Sequence, residues 1–227
     1  MLGKIQLIND DCLKVLNTLN SFDLIITDPP YFVLPTGKPN DNFEWDNFED
    51  LTSFLDFTET WFDSCFNILN NDSFMYIFWS QKYLNEGIKL FQPDRILIWR
   101  HDNLTFINSG DYIYDYEPIF LIKKGNPKLS KGKYSSILNY SKPQSNFNFD
   151  KLIHPTQKPL SLIEHIVEIS SNENDNILDP FMGSGTTGLA CKRLNRNFTG
   201  IEKNKTYFEM ASNRINEIIP IIKGGLF

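Results

Sequence analysis

The stretch of sequence that decides the fold runs from Asn176 to Gly188 and reads NILDPFMGSGTTG. A short apolar strand leads directly into a glycine-rich turn, and a helical pattern begins at Thr186. Gly183 and Gly185 permit a tight turn and let a ligand approach the backbone at the start of that helix. The segment therefore predicts a strand, a ligand-binding loop and a helix in immediate succession.

The next predicted strand, Phe198 to Ile201, is followed directly by Glu202. A carboxylate at the tip of this second strand can accept hydrogen bonds from ribose hydroxyls. Gly183, Gly185 and Gly188 also match the dinucleotide fingerprint, so a nicotinamide-dependent oxidoreductase is one alternative. Only 25 residues follow Glu202, too few for the rest of such a fold unless the chain is permuted and a third strand comes from its N-terminal part.

A second motif, Asp28-Pro29-Pro30-Tyr31, ends the apolar run from Phe22 to Thr27. Prolines cannot donate to a sheet ladder, so the strand stops at the carboxyl edge, where open α/β sheets bind ligands. The Asp28 carboxylate and the rigidly held Pro29 carbonyl can accept the two hydrogens of a planar exocyclic amine. Tyr31 offers a flat face for stacking a base. An ordinary strand-ending turn, with Asp28 as a local cap, is the structural alternative.

Strand-like and helix-like segments alternate along the chain, which predicts a doubly wound α/β sheet in one domain. Pro118 interrupts one strand region, which is therefore expected near a sheet edge. Asp50 is the expected N-cap of a long amphipathic helix. The predicted strands are Lys4–Ile8, Phe22–Thr27, Phe74–Trp79, Arg95–Trp99, Tyr112–Ile122, Asn176–Leu178 and Phe198–Ile201, and the predicted helices are Asp11–Leu19, Leu51–Leu69, Gln81–Phe91, Leu160–Ile169, Thr186–Leu194 and Thr206–Ile219.

Composition and cysteine usage exclude several classes of protein. The 227 residues are 41% hydrophobic, and no apolar run approaches the roughly 18 residues that span a bilayer. The polar N-terminal region lacks the apolar core of a secretory signal, which predicts a cytoplasmic protein without membrane attachment. The three cysteines and three histidines are scattered, so neither a disulfide framework nor a metal site is expected.

Charge is distributed unevenly along the chain. The net charge of −6 argues against a nucleic-acid partner, because phosphate binding is driven by Lys and Arg. The stretch from Lys123 to Lys151 nevertheless has seven lysines against Asp150 alone. It is also rich in Gly, Pro, Ser, Asn and aromatic residues, a loop composition that suits phosphate contacts and base stacking.

In this order along the chain, the motifs resemble those of the β class of DNA amino-methyltransferases, over essentially the whole length. The resemblance implies a single methyltransferase domain over residues 1–227, with a Rossmann-like class I fold and permuted motif order. Its sheet is expected to be doubly wound, mixed and seven-stranded. The strands on the cofactor side would be those at Ile177 and Phe198 and, from the N-terminal part, Ile5. The implied cofactor is S-adenosylmethionine.

The resemblance assigns site residues position by position. Asp28, Pro29, Pro30 and Tyr31 match the catalytic motif of the family. Glu202 matches the ribose-binding acid, and Asp11 and Cys12 match the pair near the cofactor adenine. The cofactor loop corresponds to Asp179, Pro180, Phe181, Met182, Gly183, Ser184, Gly185 and Thr186. The segment His154-Pro155-Thr156-Gln157-Lys158-Pro159 is similar to the one beside the methionine moiety, which adds His154 to the expected cofactor residues, although a lone His before Pro more often has a structural role.

Target recognition in this family lies just before that last segment, and here corresponds to a short basic insertion, residues 123–153. Double-stranded DNA is the implied partner. One short basic loop offers little DNA contact, so a homodimer and a cognate restriction endonuclease stand as further candidate partners. The lysines expected to contact nucleic acid are Lys123, Lys124, Lys128, Lys131, Lys133 and Lys142.

The function implied by the resemblance is transfer of a methyl group to the N6 amine of adenine in a specific DNA sequence. The base would be flipped out of the duplex, stacked on Tyr31 and hydrogen-bonded to Asp28 and the Pro29 carbonyl. N4 of cytosine stays open as an alternative because both amines present the same two hydrogens, although Asp before the prolines favours adenine. RNA as substrate, and a catalytically silent nucleic-acid-binding subunit, are the remaining alternatives.

Overall fold

The computed structural model describes residues 3–32, 46–101, 103, 112–130, 132–144 and 157–216. Within these residues, eight strands and six α-helices follow one another along the chain, with short 3-10 turns at Leu16–Thr18 and Gln81–Tyr83. The strands are β1 (Ile5–Ile8), β2 (Phe22–Thr27), β3 (Leu69–Phe78), β4 (Arg95–Arg100), β5 (Tyr116–Lys124), β6 (Ile137–Asn139), β7 (Asn176–Asp179) and β8 (Asn197–Ile201). The helices are α1 (Cys12–Val15), α2 (Leu51–Ile68), α3 (Leu84–Phe91), α4 (Leu160–Ser170), α5 (Thr186–Arg193) and α6 (Lys205–Asn216).

All eight strands form one mixed sheet in the order β1-β8-β7-β2-β3-β5-β4-β6. Neighbouring strands from β1 to β3 are parallel, β5 is antiparallel to both β3 and β4, and β6 is parallel to β4. The predicted fold class is confirmed, with one strand more than the expected seven. The additional strand is β6, which was predicted as part of the basic loop. Its three residues contain only two apolar side chains, too short a pattern to recognise without its partner β4.

The strand on the cofactor side that the glycine-rich unit lacks comes from the N-terminal part, as predicted. Ile5 lies opposite Phe198 in the register of β1 with β8. The Phe198 amide donates to the Lys4 carbonyl over 2.8 Å, and the Glu202 amide donates to the Ile8 carbonyl over 3.0 Å. β1, from the N-terminal part of the chain, therefore lies next to β8, the strand that precedes Glu202. This pairing shows how the sheet accommodates the permuted order of the motifs.

Successive side chains along a strand point to opposite faces of the sheet, and each face packs into its own hydrophobic core. Leu24 and Ile26 pack on the face covered by α4, α5 and α6, whereas Ile25 packs on the face covered by α1, α2 and α3. This two-residue period is the geometry of a strand buried on both sides, and it makes the sheet doubly wound. No helix within the described residues is long and apolar enough to cross a membrane.

Helix α2 begins where the sequence predicts, because Asp50 forms a capping box with Ser53. The Ser53 amide donates to the Asp50 carboxylate over 2.8 Å, and the Asp50 amide donates to the Ser53 hydroxyl over 3.2 Å. Two amides that have no partner within the helix are satisfied in this way. The buried side chains of α2 then recur at Phe54, Thr58, Trp61 and Cys65, on the side that faces the sheet.

The expectation that Pro118 marks a sheet edge is wrong, because β5 lies between β3 and β4. Pro118 lies opposite Trp79, one residue beyond the end of β3, and its carbonyl accepts a hydrogen bond from the Trp79 amide over 3.0 Å. The amide hydrogen that proline lacks would have pointed to the same side. An interior strand therefore tolerates Pro118, since the missing bond falls where the ladder with β3 ends.

Candidate active site

The predicted site residues meet at the carboxyl edge of the parallel strands. Asp28 follows β2, Asp179 ends β7, and Glu202 follows β8, and these three strands are neighbours in the order β2, β7, β8. A cavity of about 810 Å³ opens along this edge. It is lined by all four residues of the predicted catalytic motif, and by Asp11, Cys12, Asp179, Pro180, Phe181, Met182, Gly183, Ser184, Thr186 and Glu202. Two motifs that lie about 150 residues apart in sequence thus share one cavity.

Glu202 is held at one end of this cavity by backbone amides. Its two carboxylate oxygens accept hydrogen bonds from the Gly183 amide over 2.9 Å and from the Asn204 amide over 2.7 Å. Burial raises the pKa of Glu202, against the opposing effect of these hydrogen bonds. Each oxygen keeps a further lone pair, so the carboxylate can still accept hydrogen bonds from a ligand.

Asp11 lies in the same part of the cavity and caps the short helix α1. Its carboxylate accepts from the Leu13 amide over 3.0 Å and pairs with the Lys203 ammonium over 2.9 Å. Burial opposes ionisation, but the bonds from Lys203 and Leu13 outweigh it and lower the pKa of Asp11. The ion pair joins the residue before α1 to the residue after Glu202, so it ties the two strand ends of this half of the site together.

The glycine-rich loop is held in place by hydrogen bonds to Asp179, which is almost completely buried. The Asp179 carboxylate accepts from the Thr187 hydroxyl over 2.7 Å and from the Phe181 amide over 3.1 Å. Burial raises its pKa to about 7, against the opposing effect of these hydrogen bonds. The loop is also fixed to the sheet by a 2.9 Å hydrogen bond from the Met182 amide to the Ile201 carbonyl.

The two glycines at the centre of the loop, Gly183 and Gly185, have different structural roles. Both have positive φ, 49° at Gly183 and 75° at Gly185. A Cβ at Gly183 would meet nothing nearer than the Phe181 carbonyl oxygen at 3.9 Å, so this backbone is open to a ligand. A Cβ at Gly185 would lie 3.0 Å from side-chain atoms of Ala211 and Ile215. Gly185 therefore lets the loop pack against α6, and it does not line the cavity.

These residues fit S-adenosylmethionine better than a dinucleotide. The Gly183 amide, which lies in the loop where a pyrophosphate would need free amide hydrogens, donates to the Glu202 carboxylate. Six carboxylates line the cavity, at Asp10, Asp11, Asp28, Asp46, Asp179 and Glu202. Such a donor and acceptor set favours a ligand with ribose hydroxyls and positive charge, and it disfavours one with phosphate groups. The nicotinamide alternative therefore loses its structural support.

At the other end of the cavity, Asp28 is part of a largely buried cluster of four polar side chains, of which Lys158 is the most buried. Its Oδ1 accepts from the Tyr31 hydroxyl over 2.5 Å, and its Oδ2 pairs with the Lys158 ammonium over 2.7 Å. Glu117 Oε1 lies 2.8 Å from the Tyr31 hydroxyl and 3.0 Å from Lys158 Nζ. Asp28 is therefore held by Tyr31 of its own turn and by Lys158 of the segment before α4, and Glu117 of β5 contacts both of these partners.

Sequence reasoning missed Glu117 and gave Lys158 no role of its own. Lys158 stands in the segment that was singled out only for His154, and Glu117 is the second residue of β5, directly before the apolar run from Pro118 to Ile122. An acid followed directly by a buried run was the available signal, because a carboxylate is rarely buried without a partner. His154 itself lies outside the described residues.

The lysines predicted to contact nucleic acid do not lie together. Lys123 is opposite Phe74 in the sheet, four residues, or about 13 Å, from the catalytic edge at Phe78. The Lys124 ammonium donates to the Phe66 and Leu69 carbonyls, over 2.8 and 2.7 Å, at the end of α2. Lys128 and Lys133 are exposed. Lys131 lies outside the described residues.

Lys142 differs from those lysines because it lies at the catalytic end of the sheet. Its ammonium is 6.0 Å from the centre of the Trp99 ring. Its backbone exchanges hydrogen bonds with the Asn103 side chain, over 2.8 and 2.9 Å. Burial lowers the pKa of Lys142, with smaller effects from the charges of Glu117 and Lys158. This lysine is therefore close to the Asp28 cluster, whereas Lys123 and Lys124 are at the far edge.

Comparison with protein families and with relatives in sequence finds DNA methyltransferases. The family profile described as DNA methylase, N6_N4_Mtase, matches residues 22–213. The Type II methyltransferase M.HpaI of Haemophilus parainfluenzae is 32% identical over 238 residues, which cover 93% of this chain and 74% of that protein. The Type II methyltransferase M.HinfI of Haemophilus influenzae is 30% identical over 250 residues, which cover 94% and 69%.

Solved structures give the same result. The crystal structure of the M1.HpyAVI complex with S-adenosylmethionine superposes with a TM-score of 0.68 at 32% identity, covering 92% of this chain and 99% of that chain. The cytosine-N4-specific PvuII DNA methyltransferase superposes with a TM-score of 0.74 at 18% identity, covering 96% and 88%. The second likeness, at this low identity, concerns the fold alone.

Proposed function

Since this chain belongs to the DNA methylase family of S-adenosylmethionine-dependent enzymes, we propose that it methylates the N6 amine of adenine in double-stranded DNA. The observation that carries the proposal is the shared cavity. Asp28, an acceptor for an amine, and Glu202, an acceptor for ribose hydroxyls, line one continuous space at the carboxyl edge of the sheet. A methyl donor and a nucleobase can therefore meet between them.

The cofactor half of the cavity binds and orients the donor. When bound, S-adenosylmethionine supplies an electrophilic methyl group on a positively charged sulfur. Glu202, fixed by two backbone amides, accepts hydrogen bonds from ribose hydroxyls. Gly183 leaves the loop backbone open to contact, and by the family resemblance Asp11 and Cys12 border the adenine ring.

The catalytic half prepares the amine to attack. The lone pair of a ring-bound amine is delocalised into the ring, so the amine is a poor nucleophile while it stays planar. Asp28 and the Pro29 carbonyl each accept one amine hydrogen, which favours a pyramidal nitrogen with its lone pair free. Tyr31 and Lys158 occupy only one acceptor position on each oxygen of Asp28, so the carboxylate retains capacity for the amine. Pro29 follows Asp28 directly, and its ring holds the carbonyl in a fixed direction.

The target base must leave the helix to reach this cavity. Flipping costs a few kcal/mol, which stacking on Tyr31 and the hydrogen bonds to the amine offset. Asp at position 28, where N4-cytosine enzymes of the family tend to have Ser, favours adenine. DNA recognition by residues 123–153 belongs to the same proposal, with Lys142 as the described lysine nearest the cluster. The cytoplasm is the proposed location, and a second copy and a cognate restriction endonuclease are the partners proposed for it.

The test is direct identification of the product. Unmethylated genomic DNA is incubated with the protein and isotopically labelled S-adenosylmethionine, and the nucleosides are then separated by mass spectrometry. Label in N6-methyladenine is expected, and methylation-aware sequencing then gives the recognition site. Label in N4-methylcytosine would instead support the cytosine alternative, and DNA without label would support a silent binding subunit. A parallel reaction with total RNA tests the remaining alternative.

A further inference from the structure

The cluster behind Asp28 contains one hydrogen fewer than its contacts require. The Tyr31 hydroxyl lies 2.5 Å from Asp28 Oδ1 and 2.8 Å from Glu117 Oε1. A phenol has a single hydrogen, and an ionised carboxylate can only accept. Burial, together with the two neighbouring carboxylates, raises the pKa of Tyr31 well above its ordinary value, so the phenol keeps that hydrogen. Both contacts can be hydrogen bonds only if one of the two carboxyl groups is protonated.

The charge of the cluster leads to the same requirement. Lys158 is the cation that contacts both acids, 2.7 Å from Asp28 and 3.0 Å from Glu117, and its side chain is only 8% exposed. Burial alone would lower the pKa of Lys158, but the two carboxyl groups outweigh it and raise that pKa, so the ammonium stays charged. One cation beside two ionised acids would leave a net negative charge in a poorly solvated place. A proton on either acid makes the cluster neutral.

The contacts indicate which acid carries the proton. Asp28 offers a separate oxygen to each partner and has the shorter contact with Lys158. Glu117 meets both partners through the same oxygen, and its contact with Lys158 is longer. Burial also raises the pKa of Glu117, against the attraction of Lys158. Glu117 does not line the cavity, so a proton there does not interfere with the acceptor that faces the base.

We propose that Glu117 and Lys158 are positioning residues for methyl transfer, an inference that rests on the proposed function. Glu117 carries the second hydrogen and donates it to the Tyr31 oxygen, while Tyr31 donates to Asp28. Lys158 holds the other oxygen of Asp28. Each oxygen of Asp28 is thereby held by one donor, Tyr31 or Lys158, and the remaining lone pairs are available to the target amine.

The charged groups around the cluster set the expected pH dependence. Lys158 and Tyr31 face Asp28 directly, Glu117 faces it from β5, and Asp179 interacts with it from β7. Lys142 acts on Glu117 and Lys158 from the segment after β6. Without Lys158, Asp28 keeps its two acidic neighbours and loses the cation that touches it. Glu117 also loses the positive charge that lowers its pKa, so it would keep its proton to higher pH, and the alkaline limb of the methylation rate would move upward.

The experiment compares K158M with K158R, and E117A with E117Q. Single-turnover methylation is measured across pH with saturating cofactor. Because the amide nitrogen of Gln can donate to the Tyr31 oxygen, E117Q supplies the hydrogen that we assign to Glu117 and should recover part of the rate lost in E117A. An amide nitrogen at that position does not accept from Lys158, so recovery is not expected to be complete. We expect K158M to lose about 100-fold, comparable with removing one preorganised donor from an active site, and K158R to recover part of that loss. The alkaline limb should move to higher pH in K158M. In all four variants, affinity for S-adenosylmethionine and the thermal midpoint report on folding.

An infrared difference spectrum of wild type against E117Q provides a readout that does not depend on turnover. A protonated carboxyl band in the wild type that disappears in E117Q supports the assignment. An E117Q variant as slow as E117A, or a K158M variant with the wild-type rate and pH profile, would overturn it. Wild-type protein that forms no N6-methyladenine would contradict the proposed function instead, and the carboxyl band would still report whether Glu117 holds the proton.

Discussion

Lys158 Nζ lies 2.7 Å from Asp28 Oδ2, although 130 residues separate the two in the chain. The pair joins the residue after β2 to the segment that enters α4. The segment that leads into the helices on the cofactor side thus also supports the carboxylate that faces the target base. The two halves of the site are coupled by this contact, and both can be tested separately.

Replacing Asp28 should greatly slow methyl transfer and leave cofactor binding unchanged. We expect D28A to lower the methylation rate by at least about 100-fold, because an amine that lacks this acceptor keeps its lone pair in the ring. Isothermal titration should give a dissociation constant for S-adenosylmethionine close to that of the wild type. D56N, on the exposed side of α2, is the matched control and should methylate normally. Undiminished turnover in D28A would refute the role assigned to Asp28.

Replacing Glu202 should have the opposite pattern. E202A removes the acceptor for ribose hydroxyls and also releases the Gly183 amide. Hydrogen bonds to charged groups contribute about 1.5–3 kcal/mol, so the affinity for S-adenosylmethionine should fall roughly 10- to 100-fold. Equilibrium binding of the labelled cofactor measures this loss. E209A, at an exposed position on α6, is the control, and equal affinities in the two variants would count against the assignment.

Two lysines of the basic insertion should respond differently to substitution. K142A should weaken DNA binding and reduce its salt dependence by about one charge, because a phosphate contact releases counterions. K124A should leave the salt dependence unchanged and lower the free energy of unfolding by about 1–2 kcal/mol, since its ammonium binds carbonyls at the end of α2. Fluorescence anisotropy at several salt concentrations and urea denaturation separate the two effects. A K124A variant with normal stability and a reduced salt slope would reverse this assignment.

Asp179 should make stability depend on pH. Its pKa is about 7 in the folded protein, against about 3.8 ordinarily, so the folded state binds more protons than the unfolded state between these values. The contribution of Asp179 is fully present below about pH 4 and is lost as the pH rises to 7, at no more than about 1.4 kcal/mol per pH unit. Urea denaturation of wild type and D179N across this range measures the difference. D179N should lack this part of the slope, and parallel curves for the two proteins would contradict the prediction.

Features that local sequence determines could be predicted well. The turn after β2 follows from two prolines, and the loop after β7 follows from two glycines with positive φ. The place of β1 among the strands on the cofactor side was predicted from the family order, and the structure adds that its partner there is β8. In the two turns, a short segment carries enough chemistry to identify its own conformation, whereas the place of β1 came from the family resemblance.

Features that depend on distant neighbours could not be predicted. Glu117 and Lys158 acquire their role only when β5 and the segment before α4 meet behind Asp28. The lysine run was interpreted by its charge, but Lys124 is used by the end of α2, which a count of charges does not reveal. β6 exists because Ile98 of β4 lies beside Ile137, and its own three residues carry no strand pattern of sufficient length.

The position of β1 at the rim of the sheet, beside β8, has a consequence during synthesis on the ribosome. Ile5 emerges early, yet its partner Phe198 is translated almost two hundred codons later. Until then β1 lacks β8, its neighbour in the sheet, and Glu202, the proposed acceptor for the ribose hydroxyls, has not been synthesised. A nascent polypeptide can therefore contain the complete Asp28 turn while the glycine-rich loop and Glu202, which line the other end of the same cavity, are still missing.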